Sequence, residues 1–207
     1  MKKPHLEPTA SADRQLLLVR HGRSAHVQRG WLDADGFRAW RIAYEAAGIR
    51  AAESPPGELV AAAASASLVV SSDVRRALES AHLLAPGRIS TSALLRELEL
   101  PARGLVNIRM PLLGWALAVG TRNAIHTIRS TFPSQPDRDR IVAAAAWLED
   151  LFDGNTRVVA VTHATFRKLL ARQLVLRGWR RLDRKSPLHC WSAWRLAPPV
   201  RGQAQNG

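Results

Sequence analysis

Two short apolar segments that each lead into a histidine constrain the fold of this chain more than any other feature. Leu16–Val19 runs directly into Arg20 and His21, and Val158–Val161 runs through one threonine into His163. Uninterrupted apolar runs of this length are typical of strands buried on both faces of a sheet, although length alone does not exclude a helix. Because ligands of open parallel sheets bind beyond the carboxyl ends of the strands, the two histidines are candidates for one site.

Segments with helical spacing alternate with strand-like segments along the chain. We predict strands at 15–20, 68–70, 89–91, 94–98, 158–161 and 190–196, and helices at 37–47, 55–64, 74–84, 137–152 and 164–176. This alternation predicts an α/β fold with three layers, α/β/α, around a mainly parallel central sheet. The length of 207 residues suits one domain, which we place at 15–197 with loose tails at 1–14 and 198–207.

Two of the predicted helices carry residues that bear on a site. Trp40 and Tyr44 stand at helical spacing with other apolar residues, which favours packing in the core over contacts to a ligand. The polar run 71–73 follows a strand and supplies good N-cap residues. The helix it is predicted to cap opens with Arg75 and Arg76, which places two cations directly after a strand.

The segment 101–136 is an apolar insertion and the least regular part of the chain. Within it, 105–120 is apolar but interrupted by polar residues, proline and glycine, so it is too short and too broken for a transmembrane helix. Three alternatives remain open: it packs over the site, it forms an interface with a partner, or it lies in a membrane surface. Burial under its own domain is the simplest interpretation.

The chain is strongly basic, with 30 Lys and Arg against 17 Asp and Glu and a net charge of +13. This charge indicates phosphorylated or otherwise anionic partners and carries no information about the fold. Lys and Arg are dense in 167–185, which we interpret as a solvated helix face followed by a basic loop. Nucleic acid is not indicated as a partner, and contact with a membrane surface remains the less favoured alternative.

The single cysteine, Cys190, excludes an internal disulfide framework. It is compatible with a reducing compartment, and the N-terminal lysines are not followed by an apolar segment, so we expect no signal peptide and a cytoplasmic location. No Cys/His cluster has zinc spacing and no P-loop is present in the sequence, so we expect neither a metal nor a cofactor.

The predicted strand ends bring together residue types suited to phosphoryl transfer, namely two histidines, at least two arginines and Glu97. A neutral imidazole, with an unperturbed pKa of about 6.5, is a competent nucleophile near neutral pH. Guanidinium groups stabilise the charge on phosphoryl oxygens, and the helix start after His163 offers backbone N–H groups to an anion. A carboxylic acid can protonate the leaving oxygen and then deprotonate the attacking water.

Four motifs in the chain resemble those of the histidine phosphatase superfamily, which has the phosphoglycerate-mutase-like fold. They are RHGRS at 20–24, SSDVRRALESA at 71–81, LRE at 95–97 and VTH at 161–163. They fall in the family's order and rough spacing, and the resemblance covers about 15–196. It implies a metal-independent phosphoric monoester hydrolase whose substrate is a phosphorylated small molecule or a phosphoprotein.

The resemblance also implies a role for individual residues. His21 matches the nucleophile that becomes phosphorylated, and Arg20 matches the arginine that binds the phosphoryl group. Arg76 matches the second phosphate-binding arginine in preference to Arg75, because it directly precedes alanine in the motif. His163 matches the second pocket histidine, which hydrogen-bonds the phosphoryl group.

The remaining positions are less closely matched to the family. Glu97 corresponds to the proton donor, with Glu99 as the alternative two residues on. Ser24 is either a phosphate contact through its hydroxyl or a residue that caps the loop. Many members carry asparagine where Val27 stands and glycine where Ala164 stands, and the family's short glycine-rich stretch after the donor glutamate is replaced here.

We therefore expect a phosphatase that hydrolyses a phosphomonoester through a phosphohistidine intermediate. Two alternatives remain: a phosphoglycerate-mutase-like phosphotransferase, and a non-catalytic anion-binding protein on the same fold. The short chain and apolar insertion favour hydrolysis over a mutase, and the complete set of catalytic residue types argues against a non-catalytic protein. The sequence makes no prediction about the substrate's identity or the oligomeric state.

Overall fold

The computed structural model describes residues 14–27, 29–87, 89–98, 108–128, 133–185 and 187–199. Its strands are β1 (Gln15–Arg20), β2 (Trp31–Leu32), β3 (Leu68–Ser72), β4 (Ile89–Ser92), β5 (Met110–Pro111), β6 (Arg157–Thr162), β7 (Arg180–Arg181) and β8 (Ala193–Ala197). Its helices are α1 (Ala34–Ala46), α2 (Gly57–Ala64), α3 (Arg75–Leu84), α4 (Leu112–Ile128), α5 (Gln135–Leu151) and α6 (Ala164–Leu176), with a 3₁₀ turn at Ala93–Leu95. Most of the two predicted tails, parts of the insertion and Glu99 lie outside the described residues.

The main sheet has six strands in the order β4-β3-β6-β1-β8-β7. Strands β4, β3, β6 and β1 are parallel, and β8 and β7 add an antiparallel edge. The register pairs Arg20 with Thr162 and Ser71 with Val161, so the carboxyl ends of β1, β3 and β6 lie level with one another. The predicted α/β fold with a mainly parallel central sheet is therefore confirmed, and the segments after these three strands meet at one edge.

Helices cover both faces of the sheet, and the side chains of β1 alternate between the two cores that result. Leu16 and Leu18 pack into a core with α5 and α6, whereas Leu17 and Val19 pack into a core with α2 and α3. Full burial of such a side chain contributes about 1.5–3 kcal/mol, so both faces of β1 stabilise the fold. These buried strands hold the residues at their carboxyl ends in place.

A third, smaller core joins the apolar insertion to α1. Phe37 of α1 stacks on Trp115 of α4 with ring centroids 5.0 Å apart, and the Trp115 indole N–H donates to the Leu32 carbonyl at 2.9 Å. Strands β2 and β5 pair beside this core. Of the three alternatives for the insertion, its described part takes the first: α4 packs on its own domain beside α1.

The predicted strand at 94–98 is wrong. The segment forms the 3₁₀ turn and then runs without regular structure. Its carbonyls are bound by side chains instead of a neighbouring strand: Thr162 donates to Leu95 at 2.8 Å, and Arg140 donates to Leu94 at 3.2 Å and to Arg96 at 2.6 Å. Because these backbone carbonyls already accept hydrogen bonds from side chains, the segment does not have to pair with a neighbouring strand.

Two predicted boundaries are also displaced. Strand β3 continues through Ser72, and the N-cap of α3 is Val74, so the run 71–73 ends a strand instead of capping the helix. Strand β8 begins at Ala193, because the chain turns at Trp191, where φ is +62°. The turn lays the Trp191 indole over Gly22, where a Cβ would lie 2.6 Å from the ring. Only glycine fits that close approach.

The interpretation of 167–185 as a solvated face fails at its first residue. Arg167 is fully buried at 0% exposed, and its guanidinium donates to the Ser192 carbonyl at 2.5 Å and to the Pro187 carbonyl at 2.9 Å. It also lies over the Trp194 ring at 4.4 Å. Burial lowers the pKa of Arg167 to about 10, so it keeps its charge at neutral pH. Arg167 therefore organises the loop before β8.

Within the described residues, no helix is both long enough and apolar enough to cross a bilayer.

Candidate active site

The two strand-end histidines meet at the carboxyl edge of the main sheet. His21 follows β1, and its backbone N–H donates to the Thr162 carbonyl at 3.0 Å, which carries the parallel pairing one residue beyond the strands. His163 follows β6 and is the N-cap of α6. The two rings lie edge to face with centroids 5.1 Å apart. The predicted juxtaposition of the two histidines is therefore found in the structure.

The geometry of the His21 ring leaves one nitrogen available for chemistry. Nδ1 lies 2.7 Å from the Gly22 carbonyl, which can only accept, so Nδ1 carries the proton and Nε2 keeps its lone pair. The side chain is 2% exposed. Burial, and after it the positive charges of Arg76 and Arg20, lower the pKa of His21 to about 3. The imidazole is therefore neutral at physiological pH.

Arg76 connects the two histidines and is almost completely buried, at 1% exposed. Its Nε–H donates to His21 Nε2 at 3.3 Å, and Nη2 donates to His163 Nδ1 at 3.2 Å. Nη1 donates to the Tyr44 carbonyl at 3.1 Å, and Nη2 also meets the Glu45 carboxylate at 3.2 Å. Each guanidinium nitrogen thus has a protein partner, so any anion that binds Arg76 must take the place of one of them.

His163 is held in the opposite tautomer to His21. Because Arg76 can only donate, His163 Nδ1 accepts, which leaves Nε2–H to donate to the Ser72 hydroxyl at 3.0 Å. Burial, together with the neighbouring His21 and Arg76, holds the pKa of His163 well below its usual range. Both rings are therefore neutral, and Ser72 at the end of β3 fixes the second one.

Glu97 occupies the N-terminus of α6. Its carboxylate accepts from the backbone N–H of Phe166 at 2.8 Å, Thr165 at 3.2 Å and Leu98 at 3.1 Å. The helix N–H groups of Thr165 and Phe166, which were expected to be open to an outside anion, are therefore occupied by a carboxylate of the chain itself. Burial raises the pKa of Glu97, while the three backbone hydrogen bonds oppose that shift.

Arg140 of α5 fixes the segment that carries Glu97, and the sequence analysis did not identify it. Its guanidinium donates to the Glu97 carbonyl at 3.1 Å and to the Asp137 carboxylate at 2.7 Å. It also lies over the Phe166 ring at 4.8 Å. No motif marks Arg140, and only the three-dimensional contacts reveal its connection with Glu97.

The remaining predicted residues are placed differently from one another. Arg20 lines the same cavity as His21, its guanidinium donates to the Leu188 carbonyl, and its buried Nε has no hydrogen-bond partner in the part of the chain that the structure describes. Ser24 lies in a bridge to Ile49, and its hydroxyl accepts from the His26 N–H at 3.2 Å, so it stabilises the loop. Ser24 is not among the residues that line the cavity.

The preference for Arg76 over Arg75 agrees with the placement of the two side chains. Arg75 is exposed and pairs with Glu79 at 2.7 Å on the outside of α3. Ser80, one turn after Arg76, accepts from the Gly22 N–H at 2.9 Å and donates to the Arg76 carbonyl at 2.6 Å. Ser80 thereby ties the loop of His21 to the helix of Arg76.

A cavity of about 410 Å³ opens above these residues. Its lining combines a polar group, Arg20, His21, Arg76 and Glu97, with residues of α1 and α4 that include Phe37, Trp40, Tyr44, Leu112, Ala116 and Val119. Trp40 packs against the small core, as its spacing predicts, and both Trp40 and Tyr44 also line the cavity. Their helical spacing marked an apolar face correctly, but that face is shared between the small core and the cavity.

Among the described residues, no group of three or more His, Cys, Asp or Glu side chains could hold a metal ion. The acidic and histidine side chains near the cavity are each engaged by guanidinium, hydroxyl or backbone groups, as described above.

Comparisons with known proteins agree on the fold. No family model and no curated protein matches the chain. Solved structures that share the fold include phosphoglycerate mutase from Bacillus anthracis str. Sterne, with a TM-score of 0.54 and 17% identity over 89% of this chain and 88% of that chain. They also include YhfR from Bacillus stearothermophilus, with a TM-score of 0.53 and 20% identity over 93% of this chain and 98% of that chain. The phosphoglycerate-mutase-like fold that the sequence resemblance implies is therefore confirmed.

Proposed function

We propose that the chain is a phosphatase that hydrolyses a phosphomonoester through a phosphohistidine at His21, using protein groups alone. The observation that carries this proposal is the state of the His21 ring. The Gly22 carbonyl holds Nδ1 at 2.7 Å, so the neutral ring presents its Nε2 lone pair toward the Arg76 guanidinium. A neutral imidazole whose free nitrogen faces a cation is suited to attack a phosphoryl group that the cation binds.

In the first step, the Nε2 lone pair of His21 forms a bond to phosphorus as the bond between phosphorus and the ester oxygen breaks. The leaving oxygen takes a proton from Glu97, whose pKa is raised by burial, and departs as an alcohol. Arg20 and Arg76 stabilise the charge on the phosphoryl oxygens. For this contact, the Arg76 Nε–H moves from His21 Nε2 to a phosphoryl oxygen.

In the second step, water attacks phosphorus and the bond between phosphorus and Nε2 breaks. The Glu97 carboxylate accepts the proton from that water and is ready for the next turnover. His163 lies beside the same guanidinium and is proposed to contact the phosphoryl group. The products are inorganic phosphate and an alcohol, and His21 returns to its neutral form.

A mutase is the alternative function on this fold, which the chain shares with a phosphoglycerate mutase. It would return the phosphoryl group to a second hydroxyl of the substrate, whereas a phosphatase transfers it to water. Isotope-labelled water distinguishes the two, because only hydrolysis places the labelled oxygen in inorganic phosphate.

The test is a screen of sugar, nucleotide, lipid and protein phosphates with EDTA present, run on the wild type and on His21→Ala. We expect hydrolysis by the wild type, loss of at least about a thousandfold in the variant, and acid-labile, base-stable phosphate on the quenched wild type. His82→Ala, which removes an exposed histidine from α3, is the matched control and retains activity. Turnover by His21→Ala equal to that of the wild type would exclude His21 as the nucleophile. Binding of phosphate esters without turnover would favour a non-catalytic protein.

A further inference from the structure

The residues that line the cavity fall into a polar group and an apolar group, called its two ends here, and the phosphoryl group needs only the polar one. Its volume of about 410 Å³ falls within the range of roughly 300–1,000 Å³ that is usual for small-molecule sites. Arg20, His21, Arg76 and Glu97 provide the polar end, which the proposed chemistry uses. The other end is therefore available to the alcohol part of the substrate.

That second end is formed by apolar side chains from two helices. Phe37 and Trp40 come from α1, and Leu112, Ala116 and Val119 come from α4. Residues 112, 116 and 119 stand at helical spacing, so one side of α4 faces the cavity. An apolar wall of this kind gains free energy by covering an apolar ligand group. Two polar groups also belong to its aromatic residues, the Tyr44 hydroxyl and the buried Trp40 indole N–H, which has no hydrogen-bond partner among the described residues.

The aromatic part of this wall is held in place by stacking. The Phe37 ring lies 5.0 Å from the Trp115 ring and 5.8 Å from the Trp40 ring, and Trp40 lies 5.1 Å from Tyr44. The Arg76 guanidinium closes the series at 4.6 Å from the Tyr44 ring. A continuous stack therefore runs from α4 to the proposed phosphate-binding arginine. Such a surface is formed before the substrate binds, which reduces the entropy lost on binding.

The charges around the cavity disfavour a second anionic group on the substrate. Outside the polar end, the charged side chains that line it are, among the described residues, Arg41 and Glu45. The Glu45 carboxylate lies 3.2 Å from Arg76 Nη2 and would repel a carboxylate or phosphate placed beside the reacting group. Arg41 already interacts with another group. The Glu45 carboxylate thus disfavours a second anionic group beside the reacting phosphoryl group.

We propose that the substrate is a phosphomonoester whose alcohol carries an aromatic or branched apolar group and no second anionic group. This inference rests on the proposed phosphatase activity and names its substrate class. Phosphoserine, 3-phosphoglycerate and sugar bisphosphates are poor substrates on this view, because each brings a further charged group to an apolar wall.

The test compares benzyl phosphate with glycerol 3-phosphate and phosphoserine. All three are esters of primary alcohols, so differences in kcat/KM report mainly on the cavity. We expect benzyl phosphate to exceed the other two by at least about tenfold, since even one methylene group in an apolar pocket changes kcat/KM by about 10–200-fold.

Two neighbouring positions of α4 supply matched variants. Ala116→Glu places a charge on the apolar wall at an already exposed position, whereas Leu117→Glu adds the same charge at a residue that is 71% exposed and does not line the cavity. We expect Ala116→Glu to lower kcat/KM for benzyl phosphate about tenfold more than it lowers kcat/KM for glycerol 3-phosphate. Leu117→Glu should change neither. Equal effects of the two variants, or equal rates for the three substrates, would overturn the inference.

Binding of a non-hydrolysable probe separates this inference from the proposed function. Calorimetry with benzylphosphonate and methylphosphonate should show tighter binding of the benzyl compound, weakened by Ala116→Glu and not by Leu117→Glu. If that pattern holds but no ester is hydrolysed and His21 is not phosphorylated, the phosphatase proposal fails while the apolar subsite stands. If esters are hydrolysed without the pattern, the substrate class fails and the phosphatase proposal stands.

Discussion

Acidification should destabilise the fold through His21, and the size of the effect follows from its burial. The pKa of His21 is about 3 in the folded chain, against 6.5 for an unperturbed imidazole. Between these two pH values, the His21 imidazole binds a proton in the unfolded state and stays neutral in the folded state. Stability is therefore highest above pH 6.5 and falls as the pH decreases toward 3, with a slope of up to about 1.4 kcal/mol per pH unit.

Between pH 7 and pH 5, the two pKa values of His21 predict a decrease of about 2 kcal/mol in the free energy of unfolding. His163, whose pKa is also well below its usual range, acts in the same direction and adds to the loss. A decrease of this size is a substantial part of the total stability of an ordinary domain, about 5–15 kcal/mol.

The assay is urea unfolding at pH 7, 6 and 5 for the wild type, His21→Gln and His82→Gln. Glutamine removes the imidazole at either position, and His82 serves as the control because it is exposed and does not line the cavity. We expect the difference in stability between pH 7 and pH 5 to shrink by about 2 kcal/mol in His21→Gln alone. The same pH dependence in all three proteins would show that His21 titrates normally in the folded state, and would remove the argument for a neutral nucleophile held by burial.

Three further perturbations test the surroundings of the site. Glu45→Gln removes the carboxylate that competes for Arg76. It should tighten the binding of inorganic phosphate, measured by calorimetry, about two- to fivefold, since the half-exposed ion pair contributes only about 0.2–1 kcal/mol. Weaker binding would show that Glu45 supports the anion site. Arg140→Met should displace the segment that carries Glu97 and lower kcat about 10–100-fold with little change in KM. Arg140→Lys should retain part of the lost activity. An effect on KM alone would contradict a positioning role for Arg140. Gly22→Ala should cost about 1–3 kcal/mol in urea unfolding, because its Cβ would lie 2.6 Å from an indole ring; an unchanged midpoint would mean that the ring yields freely.

The competition for Arg76 has a consequence for substrate binding. Every guanidinium nitrogen of Arg76 already has a protein partner, so binding a phosphoryl group exchanges contacts instead of adding them. The contact with Glu45 is the least costly to give up, because that carboxylate is 52% exposed and returns to water. The contact with His21 Nε2 must be given up, because that nitrogen is the proposed nucleophile.

The parts of the site that local sequence predicts are those that depend on a strand and on the residue after it. The apolar runs before His21 and His163 indicate buried strands, and the carboxyl edge of a parallel sheet brings such ends together. The choice of Arg76 over Arg75 came from the resemblance of its motif to a known family, and its placement agrees with helical geometry. On α3, adjacent residues point in different directions, so only one of the two faces the histidines.

The prediction at Glu97 was right about the residue's neighbourhood and wrong about its local structure. A strand was expected, and a 3₁₀ turn followed by irregular chain is found, because Arg140 and Thr162 bind the carbonyls of the segment. The same interactions let the Glu97 carboxylate reach the start of α6, 69 residues away. The sequence around Glu97 has no periodic pattern that indicates these partners.

Apart from the choice of Arg76, which rests on the resemblance of its motif, the sequence by itself determined the sheet edge and the two histidines that lie at it. These follow from short-range rules, because a buried strand, its end and the following helix are each encoded within about ten residues. The tertiary structure alone decided which group occupies the α6 N-terminus, which carboxylate competes for Arg76, and that one side of α4 forms a cavity wall. Each of these depends on contacts between segments far apart in the chain, and such contacts leave no periodic pattern in the sequence.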